Sequence, residues 1–148
     1  MRVIRMGRTA AVAALALASA AVAHDHATGI VKERMDAMES MDKSVKAIKE
    51  RLRASRELAA VKKDALSIQA HAAKMTSLFP AGSTPSPTDA KASLWQNWAD
   101  FETKAEALEA ESAKLAQTEA ASPDAIRVQF RTMNQVCGGC HKLYRKEK

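Results

Sequence analysis

The sequence predicts an all-α protein, an up-down-up-down antiparallel four-helix bundle. Three observations support this fold class. The 148 residues are 47% hydrophobic and 4% aromatic with only five glycines, a composition typical of one helical domain. Apolar residues recur at spacings of three and four along four segments. Three of the four prolines fall between positions 80 and 87, so the segments on either side are free to form long helices.

The first 23 residues have the features of a secretory signal peptide. Three arginines within positions 1–8 precede an apolar run from Thr9 to Val22, and Ala21-Val22-Ala23 has the small-x-small pattern read by signal peptidase. This run is shorter than the about 20 apolar residues that span a bilayer. We therefore expect cleavage after Ala23, export to the periplasm, and a mature domain covering residues 24–148 with no membrane attachment.

Loss of the signal peptide changes the charge of the chain. Removing three of its 23 basic residues and none of its 17 acidic residues leaves a mature charge of about +3, which argues against a nucleic-acid binder. The new N-terminus, His24-Asp25-His26, could hold Cu(II) or Ni(II) with its amine, backbone nitrogens and third-position imidazole. The alternative is a solvated tail.

The first predicted helix runs from about Gly29 to Arg53, and its apolar seam consists of Val31, Met38, Met41, Val45, Ile48 and Leu52. Arg34 occupies a seam position, where its charge must face an anion or extend along the helix to water. Met38 and Met41 are each placed to present a thioether to a metal, although methionines on a seam are usually core filling.

The second predicted helix runs from Ser55, as N-cap, to Leu78, with His71 off its seam and on the surface. The proline-rich stretch 79–87 forms the one long loop. The third helix begins near Thr88 or Asp89 and continues to about Gln117. Its Trp95 and Trp98 either line a crevice or close the end of the bundle, and its charged residues form a solvated face.

The fourth predicted helix begins at Ser122-Pro123-Asp124, where serine caps, proline takes the first turn and the acid meets the helix dipole. Its seam consists of Ile126, Phe130, Met133, Cys137, Cys140 and Tyr144. Both cysteines should therefore point toward the core, with His141 beside that face.

Cys137-Gly138-Gly139-Cys140-His141 reads as a CxxCH site for covalent haem c. Two thiols on one helical face can each bind a vinyl group of haem, and the adjacent imidazole can bind iron on the proximal side. Each glycine costs about 1 kcal/mol in a helix, which is explained if a flat ring lies against the backbone. The alternatives are a thioredoxin-like dithiol after a strand, or half of a zinc site. A haem propionate would supply the anion for Arg34.

Nearly all of the mature sequence resembles the class II c-type cytochromes, which comprise cytochrome c′ and low-spin cytochrome c-556. The specific similarities are Ile30-Val31-Lys32-Glu33-Arg34 with Met38, the Leu78–Ser83 turn, Leu94-Trp95-Gln96-Asn97-Trp98 with Phe101, and the haem motif with Tyr144-Arg145. The resemblance implies a left-twisted four-helix bundle with one covalent haem c and His141 as proximal iron ligand. It also implies that Arg34 lies near the propionates and Arg145 close to the ligand. Met38 matches the axial methionine of the c-556 type, and an apolar non-ligating residue in cytochrome c′. Between Ile48 and Leu58 the chain departs from the family by lacking a glycine.

Two functions follow from the two possible states of Met38. With Met38 bound, both axial positions are filled and the protein is a one-electron carrier. With Met38 unbound, the iron is five-coordinate and the protein binds or scavenges nitric oxide or carbon monoxide. A peroxidase-like enzyme would need a distal histidine and arginine, for which the seam offers no credible place, so we expect no enzyme.

The basic residues near the C-terminus suggest how a redox partner would dock. Lys142, Arg145, Lys146 and Lys148 crowd the helix that carries the haem motif. They predict that positive charge is concentrated at this end and favours periplasmic redox partners with acidic surfaces. A homodimer is also compatible with the sequence.

Overall fold

The computed structural model describes residues 27–83 and 87–147. Within these ranges the helices are α1 (Gly29–Ala54), α2 (Val61–Ala72), α3 (Ser93–Gln96), α4 (Trp98–Gln117) and α5 (Pro123–Tyr144). α1 packs on α2, α2 on α4 and α4 on α5, so the four long helices form the predicted bundle. The signal peptide, His24-Asp25-His26 and Lys148 lie outside the described residues.

The boundary between the first two helices differs from the prediction. Ser55 is not the N-cap of the second helix; it adopts a left-handed conformation (φ 49°) and ends α1, its N–H bonded to the carbonyl of Arg51. Arg127 of α5 donates to the Leu52 carbonyl and to Ser55 Oγ, both at 3.1 Å. The bond to Leu52 gives a partner to a carbonyl that the last turn of α1 leaves unpaired, so the chain turns here without a glycine. A 3₁₀ turn, Leu58–Ala60, then leads into α2.

The second and third helices are shorter than predicted. α2 ends at Ala72, and a 3₁₀ turn over Thr76–Leu78 brings buried Phe79 into the core before Pro80. The third helix does not begin at Thr88 or Asp89, because this segment pairs with the C-terminus. The Lys91 N–H donates to the Tyr144 carbonyl at 2.8 Å, and the Lys146 N–H to the Asp89 carbonyl at 2.7 Å. These long-range bonds hold residues 89–91 in an extended form and delay the first helical turn to Ser93.

α5 begins at Pro123 and continues through Gly138 and Gly139 to Tyr144 without a break. Ser122 occupies the N-cap position, but its side chain makes no capping hydrogen bond, contrary to the prediction. Asp124 instead accepts from Arg127 at 3.0 Å. The predicted inward face is confirmed, since Ile126, Phe130, Met133 and Tyr144 are buried.

Aromatic side chains close the end of the bundle that carries the CxxCH motif. The Phe101 ring lies 5.0 Å from that of Phe79, 5.3 Å from Trp98 and 6.0 Å from Tyr144. Trp95 Nε1 donates to the Phe79 carbonyl at 3.0 Å. Trp95 therefore packs against Phe79 and Pro80 at the start of the proline-rich stretch, as one of the two predicted roles requires. In the described part of the chain, no helix has the length and apolar character needed to cross a membrane.

Candidate haem-binding site

The last turns of α5 hold both cysteines at the edge of the core. Cys137 and Cys140 are free thiols, half-buried, and pack against the core between buried Met133 and Tyr144. Burial raises the pKa of the Cys137 thiol and raises the pKa of Cys140 to about 11. Both sulfurs are therefore protonated at neutral pH, and both lie on one helical face as the spacing predicts.

His141 follows on the exposed side of this face. Partial desolvation and the positive charge of Arg145 lower the pKa of its imidazole. Both effects favour the neutral ring, which is the form that binds a metal.

The surface of α5 beside Gly138 and Gly139 is open. A Cβ added at either glycine would meet no heavy atom within 4 Å, so packing among the described residues does not require glycine. The helical cost of about 1 kcal/mol at each position is thus unexplained by the protein alone. A flat macrocycle lying against the helix accounts for it.

Two other interpretations of the motif do not fit. A thioredoxin-like dithiol would follow a strand at the start of a helix, whereas Cys137 lies in the fourth turn of α5. A zinc site needs further ligands. Among residues 27–83 and 87–147, however, no group of three or more His, Cys, Asp or Glu side chains is arranged to hold a metal.

Arg34 of α1 is buried, with 3% of its surface exposed, which rules out the alternative that its side chain extends to water. Its Nη2 donates to the Ser83 carbonyl at 2.9 Å, and its guanidinium carbon lies 4.5 Å from the centre of the Phe79 ring. Its Nε is buried without a hydrogen-bond partner among the described residues. No described carboxylate pairs with this cation, so the charge and the Nε donor remain available to an anionic group.

The two candidate methionines differ in burial. Met41 is 7% exposed and belongs to the core, whereas Met38 is half-buried and packs only at its edge. The central positions of the α1 stripe are taken by Ala37 and Ser44, where the seam predicted Met38 and Val45. Met38 therefore keeps free surface that Met41 lacks.

The antiparallel topology brings the predicted site residues to one end. Arg34 and Met38 lie in the first turns of α1, and the CxxCH motif lies in the last turns of α5. His71 is not part of this site, since its Nε2 lies 3.0 Å from Ser40 Oγ between α1 and α2. Neither of two surface cavities, of about 350 Å³ beside Leu66 and about 330 Å³ beside Trp95, is lined by a residue of the motif.

One cluster at this end was not predicted. Asp100 of α4 accepts a hydrogen bond from the Tyr144 hydroxyl and another from Lys104 Nζ at 3.0 Å. The sequence placed Lys104 on a solvated face. The spacing of four residues between Asp100 and Lys104 indicates an ion pair on one helix face. The contact of Asp100 with Tyr144 of α5 depends on the tertiary packing, so the sequence does not indicate it.

Basic residues lie at both ends of the bundle. Lys142, Arg145 and Lys146 are exposed near the motif, but Arg145 Nε lies 3.9 Å from Asp89 Oδ2. At the opposite end, exposed Lys49, Arg56, Lys62 and Lys63 form no ion pair with a described residue. The exposed basic residues of the described chain are therefore not confined to the motif end.

The fold and the site together define a helical-bundle c-type cytochrome. Residues 29–145 match the family model described as Cytochrome C′, and the chain belongs to this family. Its cofactor is haem c, attached covalently and carrying iron, as in its homologues. The thiols, the open helix face, the neutral imidazole and the unpaired buried arginine all fit this group.

Similar proteins agree with the assignment. A cytochrome c-556 of Agrobacterium tumefaciens (strain II Chrys) is 33% identical over 89 residues, covering 60% of this chain and 72% of its own length. A cytochrome c-556 of Agrobacterium fabrum is 28% identical over 125 residues, covering 83% and 85%. A cytochrome c′ of known structure, described as having an unusual ligand-controlled dimer dissociation, superposes with a TM-score of 0.73. It is 26% identical and covers 80% of this chain and 95% of that one.

Proposed function

We propose that this protein is a periplasmic one-electron carrier. Haem c is attached through Cys137 and Cys140, His141 binds the iron on the proximal side and Met38 binds it on the distal side. The proposal depends most on the burial of α1, where Met38 keeps free surface at the motif end while Met41 is packed into the core. The similarity to proteins called cytochrome c-556 also supports Met38 as the distal ligand, because Met38 matches the axial methionine of the c-556 type.

Haem iron bound by imidazole and thioether exchanges one electron and has no vacant position for small ligands. The side chains of the protein prepare this site. Lowering of the pKa keeps His141 neutral for binding, and the buried Arg34 offers a cation to a propionate. Such a site needs no acid-base residue, so we propose that the protein is not an enzyme, in line with a family that is generally non-enzymatic.

The spin state of the iron tests the distal ligand. Methionine ligation predicts a low-spin ferric protein with a methionine-to-iron charge-transfer band in the far red, and slow binding of carbon monoxide. Met38→Ala should give a high-spin protein that binds carbon monoxide quickly.

Met41→Ala is the matched control on the same helix. It should cost about 2–5 kcal/mol of stability because it leaves a cavity, without changing the spin state. A high-spin wild type would instead favour the second candidate function, binding of nitric oxide or carbon monoxide. If only Met41→Ala opened the iron, Met38 would not be the ligand.

The proximal ligand has its own test. His141→Ala should leave haem attached, because both thiols remain, but should abolish the native absorption spectrum. His141 should bind through Nε2, with its Nδ1–H held by a carbonyl or water. An unchanged Soret band in the variant would contradict the assignment.

We also propose that partners with acidic surfaces dock at the motif end. The experiment must distinguish the effect of the basic residues at the motif end from that of the basic residues at the opposite end of the bundle. One variant replaces Lys142, Lys146 and Lys148 by glutamine, and the control replaces Lys49, Lys62 and Lys63, removing the same charge from the far end. The 22 residues of α5 span about 33 Å. The two ends of the bundle are therefore separated by several times the Debye length, which is about 8 Å at physiological salt.

The measurement is the second-order rate of electron transfer with an acidic redox protein as ionic strength rises. Local steering predicts that the wild-type rate falls with salt, that the motif-end variant starts lower and falls less, and that the far-end variant follows the wild type. Equal losses in both variants would show that only net charge matters.

The location and assembly of the protein complete the proposal. Proteins of this family are typically periplasmic, and we propose that residues 1–23 are removed on export. Mass spectrometry of the secreted protein should find His24 at its N-terminus. A homodimer is proposed by analogy with the structural neighbour, and sedimentation with and without carbon monoxide tests it.

A further inference from the structure

The charge cluster formed by Tyr144, Asp100 and Lys104 connects α4 to the turn of α5 that carries Cys140. Tyr144 is buried and lies four residues after Cys140, so both side chains occupy the same face of α5. The Asp100 carboxylate accepts from the Tyr144 hydroxyl with one oxygen, and with the other from Lys104 Nζ at 3.0 Å. The phenol therefore fixes a carboxylate and an ammonium beside the haem-attachment site.

The charges of Lys104 and Asp100 both act on the thiol of Cys140. The positive charge of Lys104 lowers the pKa of this thiol and the negative charge of Asp100 raises it, although burial has the largest effect. The Tyr144 hydrogen bond and Lys104 lower the pKa of Asp100, and the same hydrogen bond raises the pKa of Tyr144 to about 12. At neutral pH the carboxylate is thus ionised and the phenol protonated, so the charges of the cluster stay constant.

We propose that Asp100 and Lys104 tune the reduction potential of the haem attached at Cys140, and that Tyr144 is the positioning residue for the carboxylate. Reduction by an external one-electron donor removes one positive charge from the haem, and no proton moves within the cluster. The carboxylate favours the oxidised state and lowers the potential, whereas the ammonium favours the reduced state. The inference rests on the proposed haem attachment but not on the identity of the distal ligand.

The chain provides a matched control farther along α4. Glu111 accepts a hydrogen bond from Lys114 Nζ at 2.7 Å and another from Gln129 of α5 at 2.6 Å. This arrangement repeats that of Asp100, an acid on α4 that binds a lysine of α4 and a polar group of α5. Eleven residues separate the two acids, about 16 Å along the helix. This distance between the two acids is about twice the Debye length at physiological salt, so the charge of Glu111 should influence the haem far less than that of Asp100.

The experiment is spectroelectrochemical titration of the holoprotein and its variants. Asp100→Asn should favour the reduced state by about threefold to tenfold, where tenfold corresponds to 59 mV for a one-electron couple. Lys104→Gln should shift the equilibrium by a similar factor in the opposite direction. Both shifts should shrink as salt is added, because both charged groups are partly exposed. Glu111→Gln and Lys114→Gln should leave the potential unchanged.

Three further measurements separate tuning from structural damage. Asp100→Glu should restore most of the wild-type potential, and Tyr144→Phe should give a smaller shift than Asp100→Asn because the charge remains. Denaturation curves identify variants that fail to fold. Shifts in the same direction for Asp100→Asn and Lys104→Gln, or no shift in either, would overturn the proposal. The spin state of the wild type, measured separately, shows whether the distal ligand has been misassigned.

Discussion

Replacing Arg34 by methionine measures whether this buried cation faces an anion in the holoprotein. Methionine keeps an unbranched apolar side chain but removes the charge. The variant loses the hydrogen bond to the Ser83 carbonyl, about 1.5–3 kcal/mol for a charged donor, and the contact with the Phe79 ring, about 1 kcal/mol. It also removes the unpaired Nε, whose burial costs about 1–3 kcal/mol. Without an anion these effects largely cancel, and the net loss should be about 0–2 kcal/mol.

A haem propionate beside Arg34 changes that balance, because the substitution then leaves a buried carboxylate unpaired. Breaking such a pair costs about 3–5 kcal/mol. The assay is guanidinium denaturation of the holoprotein, followed by circular dichroism and by Soret absorption. Arg34→Lys, which keeps the charge but not the planar fork, should fall between the wild type and Arg34→Met.

The control is Arg53→Met on the same helix, which removes an exposed arginine and should change stability little. A loss below about 2 kcal/mol in Arg34→Met would refute the propionate contact, because the bonds visible in the protein would then account for the whole effect.

Three further predictions follow from local geometry. The single tyrosine of the chain, Tyr144, should ionise with a midpoint near pH 12 when followed by ultraviolet absorption. The raised pKa stabilises the fold below pH 10, and this contribution is lost as pH rises toward 12. Asp100→Asn removes the carboxylate that holds the phenol proton, so it should move the ionisation midpoint of Tyr144 toward pH 10. Glu57→Gly should raise the free energy of unfolding by about 0.5–1 kcal/mol, since glycine relieves the positive φ of 53°, whereas Glu57→Ala should not. Phe101→Ala should cost about 3–5 kcal/mol in the same denaturation assay, because this ring contacts three others; a loss below 1 kcal/mol would contradict that packing.

Agreement between the sequence and the structure is best where neighbouring residues determine the outcome. The seam of α5 was predicted correctly because each apolar residue lies three or four positions from the next. Pro123 marked the start of α5 because its fixed φ and missing N–H suit a first turn. The predicted start of α2 was wrong because Arg127, distant in sequence, satisfies the end of α1. The predicted start of the third helix was wrong because Asp89 and Lys91 bond to the C-terminal segment.

By itself, the sequence determined the fold class, the haem motif and the pair of candidate methionines, because helical periodicity and the CxxCH spacing are local properties of the chain. Only the tertiary structure decided that Arg34 is buried, that Met38 rather than Met41 keeps free surface, and that Asp100 binds Tyr144. Each of these depends on which segments meet across the bundle. Burial and charge pairing are set by side chains far apart in sequence, and periodicity along one helix does not contain that information.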